Sequence, residues 1–114
     1  MKTLLLVDDE DDPRNITKWH LENLGFVIEC ARSAEDALAL FDPRIHDLVV
    51  TDNSMSGMTG AEMAHIIKIR SPSTPVIMFT GQPPEDRSCL DVVILRSSSI
   101  LDLQDGINRL LAAR

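Results

Sequence analysis

The sequence predicts an α/β domain: a five-stranded, doubly wound parallel sheet with helices on both faces. Three features of the chain point there. Five short apolar runs, residues 3–7, 26–30, 47–52, 75–80 and 92–95, are separated by segments of helical period. The runs are continuously apolar rather than alternating, as strands covered on both faces require. A length of 114 residues, 44% of them hydrophobic, supplies one core and leaves no room for a second, so a single domain over 1–114 is expected.

Residues 3–7 form the first strand and run into five consecutive acids, Asp8, Asp9, Glu10, Asp11 and Asp12. Asp12 caps the first helix with Pro13 at its first position, where a missing N–H costs nothing. Ile16, His20, Leu21 and Leu24 share its inner face, His20 as a hydrogen-bonded core histidine, and Trp19 packs on the helix. Gly25 stops it. The second strand, 26–30, leads to Ser33 and Asp36, a capping-box-like start for a helix over 34–41, which Asp42 and Pro43 break. After the third strand, 47–52, Thr59 to Glu62 open a helix with Met63, Ile66, Ile67 and Arg70 along one line. The fourth strand is 75–80 and the fifth 92–95. The last helix starts near Ser99 and buries Ile100, Leu103, Ile107, Leu110 and Leu111.

Eleven basic against eighteen acidic residues give a net charge of −7, which makes nucleic acid and anionic membrane poor partners. Cys30 and Cys89 lack metal-ligand spacing and read as reduced, buried thiols. His46 and His65 form no ligand set. No run approaches the length of a membrane span, the N-terminal run does not read as a leader, and a cytoplasmic protein is expected.

Doubly wound sheets bind ligands beyond the carboxyl ends of their strands, where the winding reverses. Those ends carry Asp8 and Asp9, Asp52, Thr80 and Arg96. Converging carboxylates repel one another, and a hard cation such as Mg²⁺ is their natural partner. A metal there would screen an incoming phosphate and let a carboxylate oxygen attack phosphorus. Thr80 and Arg96 could then hold phosphoryl oxygens.

Three stretches, "LLVDDE", "DLVVTDNSMSGMTGAEMA" and "VIMFTG", resemble the receiver domains of two-component response regulators, and the likeness covers essentially the whole chain. The resemblance implies a flavodoxin-like strand order, 2-1-3-4-5. It implies that Asp52 accepts a phosphoryl group from a partner histidine kinase or phosphotransfer protein. Asp8 and Asp9 match the acidic pair that holds Mg²⁺, Asp8 through water, and the backbone carbonyl of Ser54 completes the metal site. Thr80 matches the hydroxyl that moves toward the phosphoryl group, and Gly60 the glycine that opens the third helix. A switch is implied rather than an enzyme, though one that helps to catalyse its own phosphorylation and dephosphorylation. The downstream partner is unspecified and a homodimer stays open.

The departures from that pattern matter. Arg96 and Ser97 stand where the family has lysine and proline, and arginine for lysine is not a conservative change. Val93 falls where a switch aromatic is usual, Ser56 replaces a proline and Thr59 an aspartate. Only eleven residues, 81–91, join the fourth and fifth strands, with Gly81, Pro83 and Pro84 at their start. The fourth helix is therefore expected to shrink to a turn or two over 85–89, reshaping a face that many relatives use for output. A degenerate receiver that binds partners without phosphorylation is the alternative. An aspartyl phosphatase is disfavoured, because Asp9, Glu10 and Asp11 are followed by Asp12 and Pro13 and no cap-like insertion is present.

Overall fold

The computed structural model describes residues 1–113. Five strands, β1 (Thr3–Val7), β2 (Val27–Ala31), β3 (Leu48–Thr51), β4 (Val76–Thr80) and β5 (Val92–Leu95), form one parallel sheet in the order β2-β1-β3-β4-β5. Four helices, α1 (Asp11–Asn23), α2 (Ala34–Leu40), α3 (Gly60–Arg70) and α4 (Ile100–Ala112), complete the described residues.

Alternation along the strands splits the core in two. Leu5, Val7, Val49 and Val76 face α2 and α3, where Ala34, Ala37, Met63, Ala64 and Ile67 meet them. Leu4, Leu6, Leu48, Val50, Ile77 and Ile94 face the opposite way, onto Leu21 of α1 and Leu103 and Ile107 of α4. Leu103 and Ile107 are buried as the last helix's pattern predicts, whereas Ile100, Leu110 and Leu111, expected in the same stripe, pack only partly buried at the margin of that second layer. The central strands β1, β3 and β4 are covered on both sides, which explains their unbroken apolar runs.

Boundaries follow local chemistry. The Ser33 hydroxyl accepts the Asp36 N–H at the start of α2, and Thr59 with Glu62 forms a complete capping box for α3. Gly25, at φ +97°, ends α1: its N–H donates to Glu22 and the Phe26 N–H to Leu21, a Schellman closure. That closure takes Phe26 out of β2, which starts one residue later than the sequence suggests.

Four expectations need correction. First, α1 begins at Asp11, so Pro13 is its third residue and Asp12 is not its cap. The inner face of α1 is Arg14, Thr17 and Leu21, whereas Ile16 and Trp19 are 59% and 63% exposed and Leu24 lies past the helix end. Arg14 turns inward because its guanidinium is satisfied there, donating to the Asp8 carbonyl at 3.0 Å and to Asp11 at 2.6 Å. Second, His20 is only half-buried, and the core histidine is His46, held between the Asp42 N–H and the Glu29 carboxylate. Third, Cys30 and Cys89 are both free thiols but only partly buried. Fourth, residues 81–91 contain turns and no helix at all. Two prolines near the start and the short span leave too little chain for one. Cys89 and Leu90 from this loop cover the α3 side of the sheet in its place. No helix among the described residues is long and apolar enough to cross a membrane.

Candidate functional site

The carboxyl ends of β1, β3, β4 and β5 converge because neighbouring strands lie in parallel register, and backbone bonds carry that register past the strands. The Asp52 N–H donates to Val7, the Asp8 N–H to Ala31 and the Arg96 N–H to Thr80. An open cavity of about 310 Å³ lies there, lined by Glu10, Asp52, Ser54, Thr80, Gly81, Gln82 and Arg96.

Asp52 follows β3, its side chain 12% exposed, with Oδ1 accepting the Asn53 N–H at 2.7 Å. Its position depends on Gly60. A Cβ at residue 60 would stand 2.0 Å from the Asp52 carbonyl oxygen, so only glycine lets α3 start this close. The Thr51 hydroxyl donates to that same carbonyl at 2.7 Å, and Asn53 binds both the Gly60 and the Ala61 N–H groups. The phosphoacceptor candidate is thus clamped to the N-terminus of a capped helix.

Asp8 is nearly inaccessible. Its Oδ1 accepts the Glu10 N–H, and its Oδ2 accepts from Arg96 Nη2. The same Nη2 lies 3.9 Å from Asp52 Oδ2, so one cation serves both acids. Asp9 points elsewhere: its Oδ2 accepts the Ser56 N–H at 3.1 Å, tying β1 to the loop after β3. Thr80 is buried, and its Oγ1 accepts the Gln82 N–H at 3.1 Å. Ser54 enters the cavity wall with its hydroxyl donating to Gln82 Oε1 at 2.8 Å.

Of the residues singled out from sequence, Asp8, Asp52 and Arg96 are brought into one charged cluster, with Thr80 and Ser54 in the adjoining wall. Asp9 is held to one side by its backbone partner. Gln82 was missed, although it closes the cavity by bonds to Ser54, Asn53 and Thr80. Its signal was a long polar side chain two residues after the hydroxyl at the end of β4. The donor set of Asp8, Asp9, Asp52 and the Ser54 carbonyl is all oxygen, which suits a hard cation such as Mg²⁺. Among the described residues no three acids, histidines or cysteines stand together as a ready metal set; Asp9 is turned to the Ser56 N–H and Asp8 is paired with Arg96. The set therefore fits the metal in chemistry, with Arg96 as its rival for Asp8.

Comparison with known proteins agrees with this geometry. Residues 4–94 match the family model described as the response regulator receiver domain. The autoinducer 1 sensor kinase/phosphatase LuxN of Vibrio campbellii is 32% identical over 83 residues, which is 73% of this chain and 10% of that protein. The nitrogen assimilation regulatory protein NtrX of Azorhizobium caulinodans is 36% identical over 80 residues, 68% of this chain and 18% of the relative. The chain thus spans a small part of these relatives' lengths. Among solved structures, the response regulator TrrA of Thermotoga maritima, in complex with Mg²⁺–BeF, superposes with a TM-score of 0.91 at 29% identity, covering 96% of this chain and 99% of that one. TrrA in complex with the histidine kinase ThkA gives a TM-score of 0.89 at 30% identity, over 97% and 99%. By sequence, fold and the arrangement of its strand ends, this chain belongs to the response regulator receiver domain family.

Proposed function

We propose that this receiver domain is a phosphoacceptor switch in which Asp52 takes a phosphoryl group from a histidine kinase or phosphotransfer protein. The observation that carries the reading is the placement of Asp52 Oδ2 at a cavity wall with the Arg96 guanidinium 3.9 Å away. In the transfer step an Asp52 oxygen attacks phosphorus of a phosphohistidine. A P–O bond forms, the P–N bond breaks, and the imidazole leaves with a proton. Arg96 neutralises the carboxylate and pairs with phosphoryl oxygens as their charge approaches, a task suited to a planar, permanently charged fork. Thr80 already accepts from Gln82, which leaves its hydroxyl hydrogen to donate to a phosphoryl oxygen. Asp9, once released from the Ser56 N–H, would hold Mg²⁺ with Asp52, the Ser54 carbonyl and, through water, Asp8, and the metal would supply the charge that screens these acids from phosphate. The chain's own share is to release Asp8 from Arg96 so that this guanidinium can turn to the phosphoryl group.

Output follows from the loop 81–91. Its first residues close the cavity through Gln82 and its last pack on α3, so a rearranged Thr80 is transmitted to the surface of this loop. With no helix there, a partner must fit a loop surface beside β5 or use another face.

A second reading, a degenerate receiver that binds partners without phosphorylation, is favoured by one observation, the neutralisation of Asp8 by Arg96. Incubation with a small phosphodonor and Mg²⁺, followed by intact mass, separates the two. The switch gains one phosphoryl group and loses that gain in Asp52→Asn. An unchanged mass supports the degenerate receiver.

A further inference from the structure

The cavity meets the start of the loop at Gly81 and Gln82, and further along it His65 of α3 stands between an acid and a thiol. Its Nε2 lies 3.1 Å from Asp86 Oδ2 and its Nδ1 lies 3.1 Å from Cys89 Sγ. Bonds from the Ser88 hydroxyl and N–H, with His65 adding to them, hold the Asp86 carboxyl down at about 2. Asp86 is therefore a carboxylate, which only accepts, so Nε2 carries the hydrogen. In a neutral imidazole that leaves Nδ1 as the basic nitrogen, facing sulfur. Acid, imidazole and nucleophile in this order form the relay that activates thiols and hydroxyls in unrelated folds.

We propose that Cys89 is a reactive thiol activated by His65 and oriented through Asp86, and that its reactant is a hydroperoxide. Nδ1 takes the thiol proton, and the sulfur attacks the terminal, hydroxyl-bearing peroxide oxygen. The S–O bond forms as the O–O bond breaks, and the departing oxygen leaves with the imidazolium proton as water or an alcohol. Sulfur gives up two electrons, the peroxide is reduced, and Cys89 becomes a sulfenic acid.

Access and contrast both support this site. The His65 and Asp86 side chains are 48% and 62% exposed, and Cys89 is partly so. Cys30, the other thiol, lies on β2, and burial pushes its titration up, which keeps it protonated and slow. Oxidation would also matter to the fold, because Cys89 packs against the α2 and α3 layer.

The test is hydrogen peroxide with the sulfenic-acid trap dimedone on the whole chain, with adducts at each cysteine timed by peptide mass. Circular dichroism checks that His65→Ala and Asp86→Ala are folded. The expected result is labelling of Cys89 about tenfold or more faster than Cys30, with the excess lost in His65→Ala and reduced in Asp86→Ala. Equal rates at the two cysteines, or a Cys89 rate unchanged in both variants, would overturn the proposal. Neither outcome depends on Asp52 accepting phosphate.

Discussion

Arg96 donates through Nη2 to Asp8 and holds the same nitrogen 3.9 Å from Oδ2 of Asp52. One guanidinium thus bridges acids at the ends of two strands. Its Nε donates to the Phe79 carbonyl at 3.3 Å, and its carbon sits 5.3 Å from the Phe79 ring centroid, so the fork is aimed as well as charged. A lysine ammonium could supply the charge but not this set of directed bonds.

Removing the bridge leaves Asp8 charged and buried. Arg96→Ala should lower stability by about 2 kcal/mol, a figure reduced from that for wholly buried pairs because the Arg96 side chain is 27% exposed. Mg²⁺ should recover part of that loss by taking over the neutralisation of Asp8. Urea titrations with and without the metal check both points, and a variant as stable as the parent would deny the bridge any weight.

Gly60 is tested by Gly60→Ala. Because a Cβ there would meet the Asp52 carbonyl at 2.0 Å, α3 and the Asp52 backbone must separate. The expected cost is about 1–3 kcal/mol, together with slower phosphorylation of Asp52. Thermal melts and timed intact-mass measurements would report the two effects.

Thr80→Val removes the acceptor of the Gln82 N–H in a buried setting. Stability should fall by about 1 kcal/mol. Phosphorylation should persist, while amide shifts in residues 81–91 on adding beryllofluoride shrink. Shifts of parental size would show that Thr80 does not relay the signal.

Asp86 gives a pH signature. Its folded-state value lies at about 2, below the ordinary 3.8, so its bonds to Ser88 and His65 are fully formed above 3.8 and fade as pH falls toward and through 2. Carboxyl NMR titration should show a midpoint near 2. A midpoint at the ordinary value would mean that the Ser88 bonds to Asp86, and the weaker one from His65, are not formed.

The fold was legible because its signals are local and mutually consistent. Apolar runs gave the strands, Ser33, Thr59 and Gly25 marked helix ends, and parallel pairing brought Asp8, Asp52, Thr80 and Arg96 to one rim. What the sequence hid depends on partners distant along the chain. Arg14 is buried only because the Asp8 carbonyl and Asp11 receive it, which rotates α1 and exposes Ile16. His46 enters the core because Glu29, seventeen residues away, accepts from its ring. The commitments of Asp8 to Arg96 and of Asp9 to Ser56 likewise cross from one strand end to another, and composition alone carries no trace of them.

The central claim is that Arg96 releases Asp8 and turns to a phosphoryl group on Asp52. A crystal structure with Mg²⁺ and beryllofluoride tests it most directly. It should show beryllium on an Asp52 oxygen, the metal among Asp9, Asp52 and the Ser54 carbonyl, and Arg96 bonded to fluoride. Arg96 still paired with Asp8 beside an unmodified Asp52, at saturating Mg²⁺ and beryllofluoride, would contradict it.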